Sequence, residues 1–331
     1  MWSRWVRNDT AWLITFIVVV LGFPLVLGKV GLRQVPFNAK PGEKLVKEQP
    51  EIIFVGDSML GSRLDPDLLT TLSGRKVSLL LHNGSASAMW YLFLKNYIPA
   101  DKEGDLRVVV FFRDRYLTDP TFRLGGQYAE EVQAAVKGED PLIDKFNSAP
   151  GVGNFDWLAK RLEKFYAVQK LHDPIADKIT GKIEGLAQAI MPERFDYQQK
   201  LDAVFDLKNL RKDVSSELAS RDLVQEPFDP SEDTSFLPHM VELAEDKRLE
   251  LAFFRVKRRP QSGNIRSDSV EMTDYMHDLR DYLQVHHVEL FDETADATIT
   301  LEYYGDGDHV AEEDRHRYTE EFFHKHPEIF Q

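Results

Sequence analysis

Four short polar motifs carry residue types suited to acyl transfer. Gly56-Asp57-Ser58 offers a serine hydroxyl, and Asn83-Gly84-Ser85 offers a glycine whose backbone can approach a ligand closely. Arg113-Asp114-Arg115 offers fixed charge, and Asp306-Gly307-Asp308-His309 offers a base with carboxylates beside it. A serine hydroxyl is a weak nucleophile until a base takes its proton, and the base works best when a third group orients it. An aspartate held on the same loop as His309 can orient that ring. Asp306 and Asp308 are both acidic and close to it.

Such motifs need elements that bring them together. The run Glu51-Ile52-Ile53-Phe54-Val55 reads as a buried strand that ends at Gly56, a residue suited to the tight turn before Ser58. Apolar runs at Val77–Leu81 and Leu106–Phe112 predict two more strands. Helical spacing predicts helices over Leu60–Leu72, with Pro66 near the middle, and over Ala86–Ile98. Strand and helix therefore alternate from Glu51 to Phe112, which argues a parallel sheet covered by helices. Three of the four motifs then follow a strand directly, where open parallel sheets bind their ligands.

From about residue 118 to 243 the β-branched runs give way to charge-rich helical stretches such as Phe155–Lys170 and Asp196–Leu218. This reads as a helical insertion, with a loop at Glu226–Asp233. Strands then return at Arg248–Val256 and Val288–Phe291, with helices at Asp268–Leu283 and Thr319–His326. The basic run Arg255-Val-Lys257-Arg258-Arg259-Pro260 reads as an exposed face, or as a rim that grips an anionic glycan or a partner.

Before the body, Ala11–Gly28 reads AWLITFIVVVLGFPLVLG with no charge. Eighteen residues at about 1.5 Å each span roughly 27 Å, close to the hydrocarbon core of a bilayer. Trp2, Trp5 and Trp12 lie at one edge, where indole rings favour the interface. The expected layout is a cytoplasmic tail over residues 1–10, a signal anchor over 11–28, a polar linker over 29–49 and the body over 50–331. A cleaved signal peptide is the second reading of the apolar run. The net charge is −14, yet the first fifty residues are basic, so the body is strongly acidic. That argues against nucleic acid, because phosphate binding needs a basic face. There are no cysteines, which removes disulfides, thiolate metal sites and a cysteine nucleophile. No metal-ligand spacing stands out among the histidines, and no cofactor is expected.

Taken together, the motifs resemble the SGNH/GDSL hydrolase superfamily. The match lies at Gly56-Asp57-Ser58 after the first strand and at Asp306-x-x-His309 near the end, with a glycine, Gly84, after the second strand. The resemblance covers roughly Glu51–Phe112 and Arg248–Gln331. It implies a flavodoxin-like α/β/α fold with a parallel sheet. It also implies Ser58 as nucleophile, His309 as base and acid, Asp306 as orienting carboxylate, and the N–H groups of Ser58 and Gly84 in an oxyanion hole. Asn83 lies beside that hole. The family's asparagine motif after the third strand is replaced by Phe112-Arg113-Asp114-Arg115. Arg113 there is either a donor to an oxyanion or substrate carboxylate, or a structural ion pair.

The anchor and the atypical third motif resemble a narrower branch, the membrane-anchored proteins of bacterial cell-surface polysaccharide O-acylation. This implies serine-dependent O-acyl transfer, of acetyl or a similar group, to an extracytoplasmic polysaccharide. The partners implied are a glycan acceptor and a multi-span membrane acyltransferase as donor. The location implied is the plasma membrane, with the body facing the exterior or periplasm. The alternatives are a carbohydrate esterase of the same fold and a non-catalytic glycan-binding accessory.

Overall fold

The computed structural model describes residues 35–101, 104–125, 128–148, 228–260, 268–305 and 307–331. The expected anchor at 11–28, the start of the linker at 29–34, the stretches at 155–170 and 196–218, and Asp306 lie outside the described residues, while the rest of the expected linker holds a helix, Lys40–Glu48, whose Leu45 is buried in the core. Among the described residues no helix is long and apolar enough to cross a membrane.

Five parallel strands form one sheet: β1 (Ile52–Gly56), β2 (Val77–Leu81), β3 (Arg107–Phe112), β4 (Glu250–Arg255) and β5 (Glu289–Asp292). Their order is β2-β1-β3-β4-β5, so the chain winds one way from β1 to β2 and the other way from β3 onward. This is the doubly wound order whose reversal opens a crevice beyond the carboxyl ends of β1 and β3. All of β1 is buried, which explains its unbroken apolar run.

Helices cover both faces. Ile53, Val55, Val108 and Val110 pack against α4 (Ser87–Asn96), α7 (Leu237–Lys247) and α8 (Val270–Val285). Ile52, Phe54, Val109 and Phe111, the alternate residues of the same strands, pack against α2 (Ser58–Arg63), α3 (Pro66–Ser73) and α9 (Arg315–Lys325). The remaining helices are α1 (Lys40–Glu48), α5 (Ala129–Ala135) and α6 (Pro141–Ser148). Aromatic rings dominate the second face. Phe254 stacks on Phe111 at 4.6 Å and meets Phe322 edge-on at 5.1 Å. Full burial of each such ring contributes about 1.5–3 kcal/mol.

The expected helix over Leu60–Leu72 is two helices. The chain turns extended at Leu64 and Asp65. Pro66 then starts α3 instead of kinking a longer helix, because a proline at the first helical position lacks an N–H that would be unpaired anyway. Asp65 caps that start by accepting from Asp67 N at 3.0 Å and Leu68 N at 3.1 Å. The last helix begins at Arg315, four residues before the expected start.

The basic run that begins at the end of β4 is not an exposed face. Arg255, Lys257 and Arg258 are buried. Arg255 pairs with Asp268 at 2.7 Å and Asp292 at 3.2 Å, and Arg258 pairs with Asp114 at 2.9 Å. Carboxylates brought from distant segments meet these cations inside the protein, and only paired charges tolerate that environment.

Candidate active site

Ser58 is the first residue of α2, at the carboxyl end of β1. Asp57 caps the helix: its Oδ1 accepts from Met59 N at 2.9 Å. The buried Asp57 carboxylate is thereby committed to the turn that presents Ser58. Gly56 is required for a reason other than the tight turn expected of it. It carries no positive φ. A Cβ there would stand 2.9 Å from Leu60 Cβ and 3.2 Å from Phe111 Cβ. Glycine lets the first turn of α2 lie directly against the sheet.

The loop after β2 is tied to the same place. His82 N donates to Gly56 O at 3.3 Å, and Ser85 Oγ donates to Gly56 O at 3.0 Å. Trp90 Nε1 in turn donates to Ser85 Oγ at 3.0 Å. Gly84 has φ +74°, a left-handed conformation that glycine adopts without cost, and Asn83 is exposed. Neither Ser58 N nor Gly84 N has an acceptor among the described residues. Both N–H groups are thus unspent at one end of the sheet.

His309 arrives from the far end of the chain. Its Nε2 lies 2.8 Å from Ser58 Oγ. The loop that carries it is closed by a bridge between Tyr304 and Val310 and by Gly305 N donating to His309 O at 3.0 Å. Val310 N donates to Ser62 Oγ at 3.3 Å, so the histidine loop is also fastened to the serine helix.

Beneath both lies Arg63, whose side chain is fully buried. It donates to Lys257 O at 2.8 Å and lies 3.8 Å from Glu293 Oε1. Its guanidinium faces the rings of Tyr304 and Tyr318 at 5.8 and 5.7 Å. Tyr304 donates to the same Lys257 carbonyl at 3.0 Å, and Tyr318 donates to Glu293 at 2.5 Å. Arg63 sits on the serine helix and Tyr304 on the histidine loop, so one polar knot holds both. Sequence inspection missed Arg63, because an arginine on a short helix reads as exposed.

Asp308 is not free to serve its neighbour. Its Oδ1 accepts from Arg259 N at 2.9 Å, and its Oδ2 pairs with Arg113 and lies 3.4 Å from Arg258 Nε. Burial pushes its carboxyl upward, but the charges of Arg113 and Arg258 and the Arg259 N–H outweigh burial and hold it below the usual range. Of the two sequence readings of Arg113, this geometry is the structural ion pair.

Sequence inspection also missed Arg123. Its Nη1 lies 3.8 Å from Asp57 Oδ2. No motif spacing marks it; only its place after β3 does. Among the described residues no cluster of histidine and carboxylate side chains could hold a metal ion. The site thus brings a serine and a histidine together, with an unspent backbone donor on each of the loops after β1 and β2; a serine with a base in reach has the parts for proton transfer and for attack on an acyl carbon. Comparison with models of known protein families finds no match to this chain, and comparison with curated proteins finds none either.

Proposed function

We propose that this protein transfers an acyl group, of acetyl size or similar, through Ser58 to a hydroxyl of an extracytoplasmic polysaccharide. The observation that carries the reading is the 2.8 Å approach of His309 Nε2 to Ser58 Oγ at the crevice between β1 and β3. Ser58 Oγ attacks the acyl carbonyl and His309 takes its proton. The N–H groups of Ser58 and Gly84 receive the negative charge, each worth about 3–4 kcal/mol when preorganised. The leaving group takes the proton back from His309, and an acyl-serine remains. A sugar hydroxyl, activated by His309 in turn, then accepts the acyl group. Asp306 is the carboxylate proposed to orient His309.

The resemblance of the motifs to the SGNH/GDSL superfamily supports the reading, and so does the strand order. The apolar run at 11–28 supports a membrane anchor that keeps Ser58 outside the cytoplasm, near a membrane-bound acyl donor. Hydrolysis is the same chemistry with water as acceptor, and the partial exposure of Ser58 suits it. Cells that carry Ser58→Ala should lose glycan O-acylation while the protein accumulates normally; unchanged acylation would sink the proposal. Release of an activated ester that is fast and indifferent to added glycan would favour hydrolysis instead.

A further inference from the structure

Arg123 lies in the loop that follows β3. Its φ is +57°, a left-handed conformation that costs a side-chain-bearing residue energy and persists only where surrounding contacts enforce it. Those contacts are visible. The guanidinium is held over the rings of Phe122, at 4.9 Å, and Tyr128, at 5.5 Å. Tyr128 is itself seated on Gly84, where an added Cβ would come within 2.9 Å of its ring. The same hypothetical Cβ would lie 3.7 Å from Arg123 Nη1. On the other side Nη1 is 3.8 Å from Asp57, too far for a hydrogen bond.

The cation is therefore wedged between the residue before Ser58 and the glycine whose N–H is unspent. Loops after β1, β2 and β3 meet at this point. Arg63, Arg113 and Arg258 each commit terminal guanidinium nitrogens to a carbonyl or a carboxylate. Arg123 makes no hydrogen bond among the described residues, and its side chain keeps 21% of its exposure. A preorganised donor fork with unspent N–H groups beside a nucleophile is suited to negative charge that appears during reaction.

We propose that Arg123 is a catalytic residue that donates to the acyl oxygen of the substrate, together with the N–H groups of Ser58 and Gly84. This rests on Ser58 being the nucleophile. When Ser58 Oγ bonds to the acyl carbon, the carbonyl π pair moves onto oxygen and the serine proton moves to His309 Nε2. Arg123 N–H bonds shorten onto that oxygen. As the carbon–oxygen double bond re-forms, the leaving oxygen departs with the proton from His309, and Arg123 itself neither gains nor loses a proton.

The test uses the full chain in detergent with 4-nitrophenyl acetate, a neutral ester that has no anionic group for Arg123 to attract. Burst release of 4-nitrophenolate reads acylation, and labelling by a 4-nitrophenyl phosphonate reads Ser58 directly. Arg123→Ala should slow acylation roughly 100-fold or more with KM changed by less than about threefold. Arg123→Lys should recover part of the rate, since it restores charge but not the fork. Arg123→Met keeps a stem between Phe122 and Tyr128 and should be as slow as alanine, which separates charge from packing. An acylation rate near wild type in Arg123→Met overturns the proposal, and so does a loss confined to KM. A wild-type protein that shows neither burst nor label defeats the Ser58 reading itself, a result distinct from the other two.

Discussion

Arg113 and Asp308 form a partly buried ion pair, although Asp308 stands next to His309 in sequence and Arg113 follows β3. Arg258 joins the pair from the loop after β4 and continues it to Asp114. The pair therefore links the carboxyl ends of two central strands to the loop that carries the histidine. Its first consequence concerns stability.

Asp308→Asn should destabilise the fold by about 3–5 kcal/mol, because it strips Arg113 of its anion and leaves Arg258 with Asp114 alone. The acid response follows from the depressed carboxyl. Between the folded and unfolded values the unfolded chain binds the extra proton. The contribution of Asp308 is thus complete above the ordinary carboxylate range and is lost as pH falls through the folded value. Urea unfolding between about pH 7 and about pH 3 should show a shallower loss for Asp308→Asn than for wild type. Parallel curves would argue against the charge pairing.

His309→Gln should leave the fold intact and lower acylation by a factor of about 10²–10⁴. Glutamine fills similar space but does not accept the serine proton. Thermal melting alongside burst kinetics checks both halves of the statement. Normal acylation in the His309→Gln protein would remove His309 from the mechanism.

Gly56→Ala should be costly for its size. Its methyl group would press on Leu60 and Phe111, and overpacking of this kind costs about 1–3 kcal/mol. Any relief must lift α2, which moves Ser58 away from His309. The expected result is a lower denaturation midpoint with an unchanged slope, plus a loss in acylation of up to about 100-fold.

Arg63 and Glu293 are both buried inside the knot beneath the site. Removing either partner alone should cost about 3–5 kcal/mol by stranding the other. The pair Arg63→Met with Glu293→Leu should cost clearly less than the sum of the two single changes, and a double-mutant cycle in urea measures the difference. Strict additivity would show that the two groups are held separately.

Much of this protein is written in local pattern. The strands at 52–56, 77–81, 107–112, 250–255 and 289–292 fall within a residue or two of the apolar runs that predict them. Central parallel strands such as β1 and β3, buried on both faces, must be apolar along their length, so no distant partner is needed to see them. Ser58 and His309 were legible for a related reason: each sits in a short motif with a strand or the chain end as landmark. Helix ends were less legible. Pro66 either kinks a helix or starts one, and Asp65 decides between these through capping bonds that form only in the folded chain.

The charged residues divided most sharply. The sequence by itself determined the alternation of strand and helix, and singled out the serine and histidine that the fold brings within 2.8 Å of each other. Only the tertiary structure decided which cations are buried and which carboxylates neutralise them. Lys257-Arg258-Arg259 has the composition of a surface, yet Lys257 and Arg258 lie inside. Arg113 goes to Asp308, and Arg123, which no motif marks, stands beside Asp57. Apolar burial follows from the period of a single segment, because it needs no particular partner. Charge burial depends on a partner within about 4 Å, and that partner comes from another part of the chain that only the fold brings near.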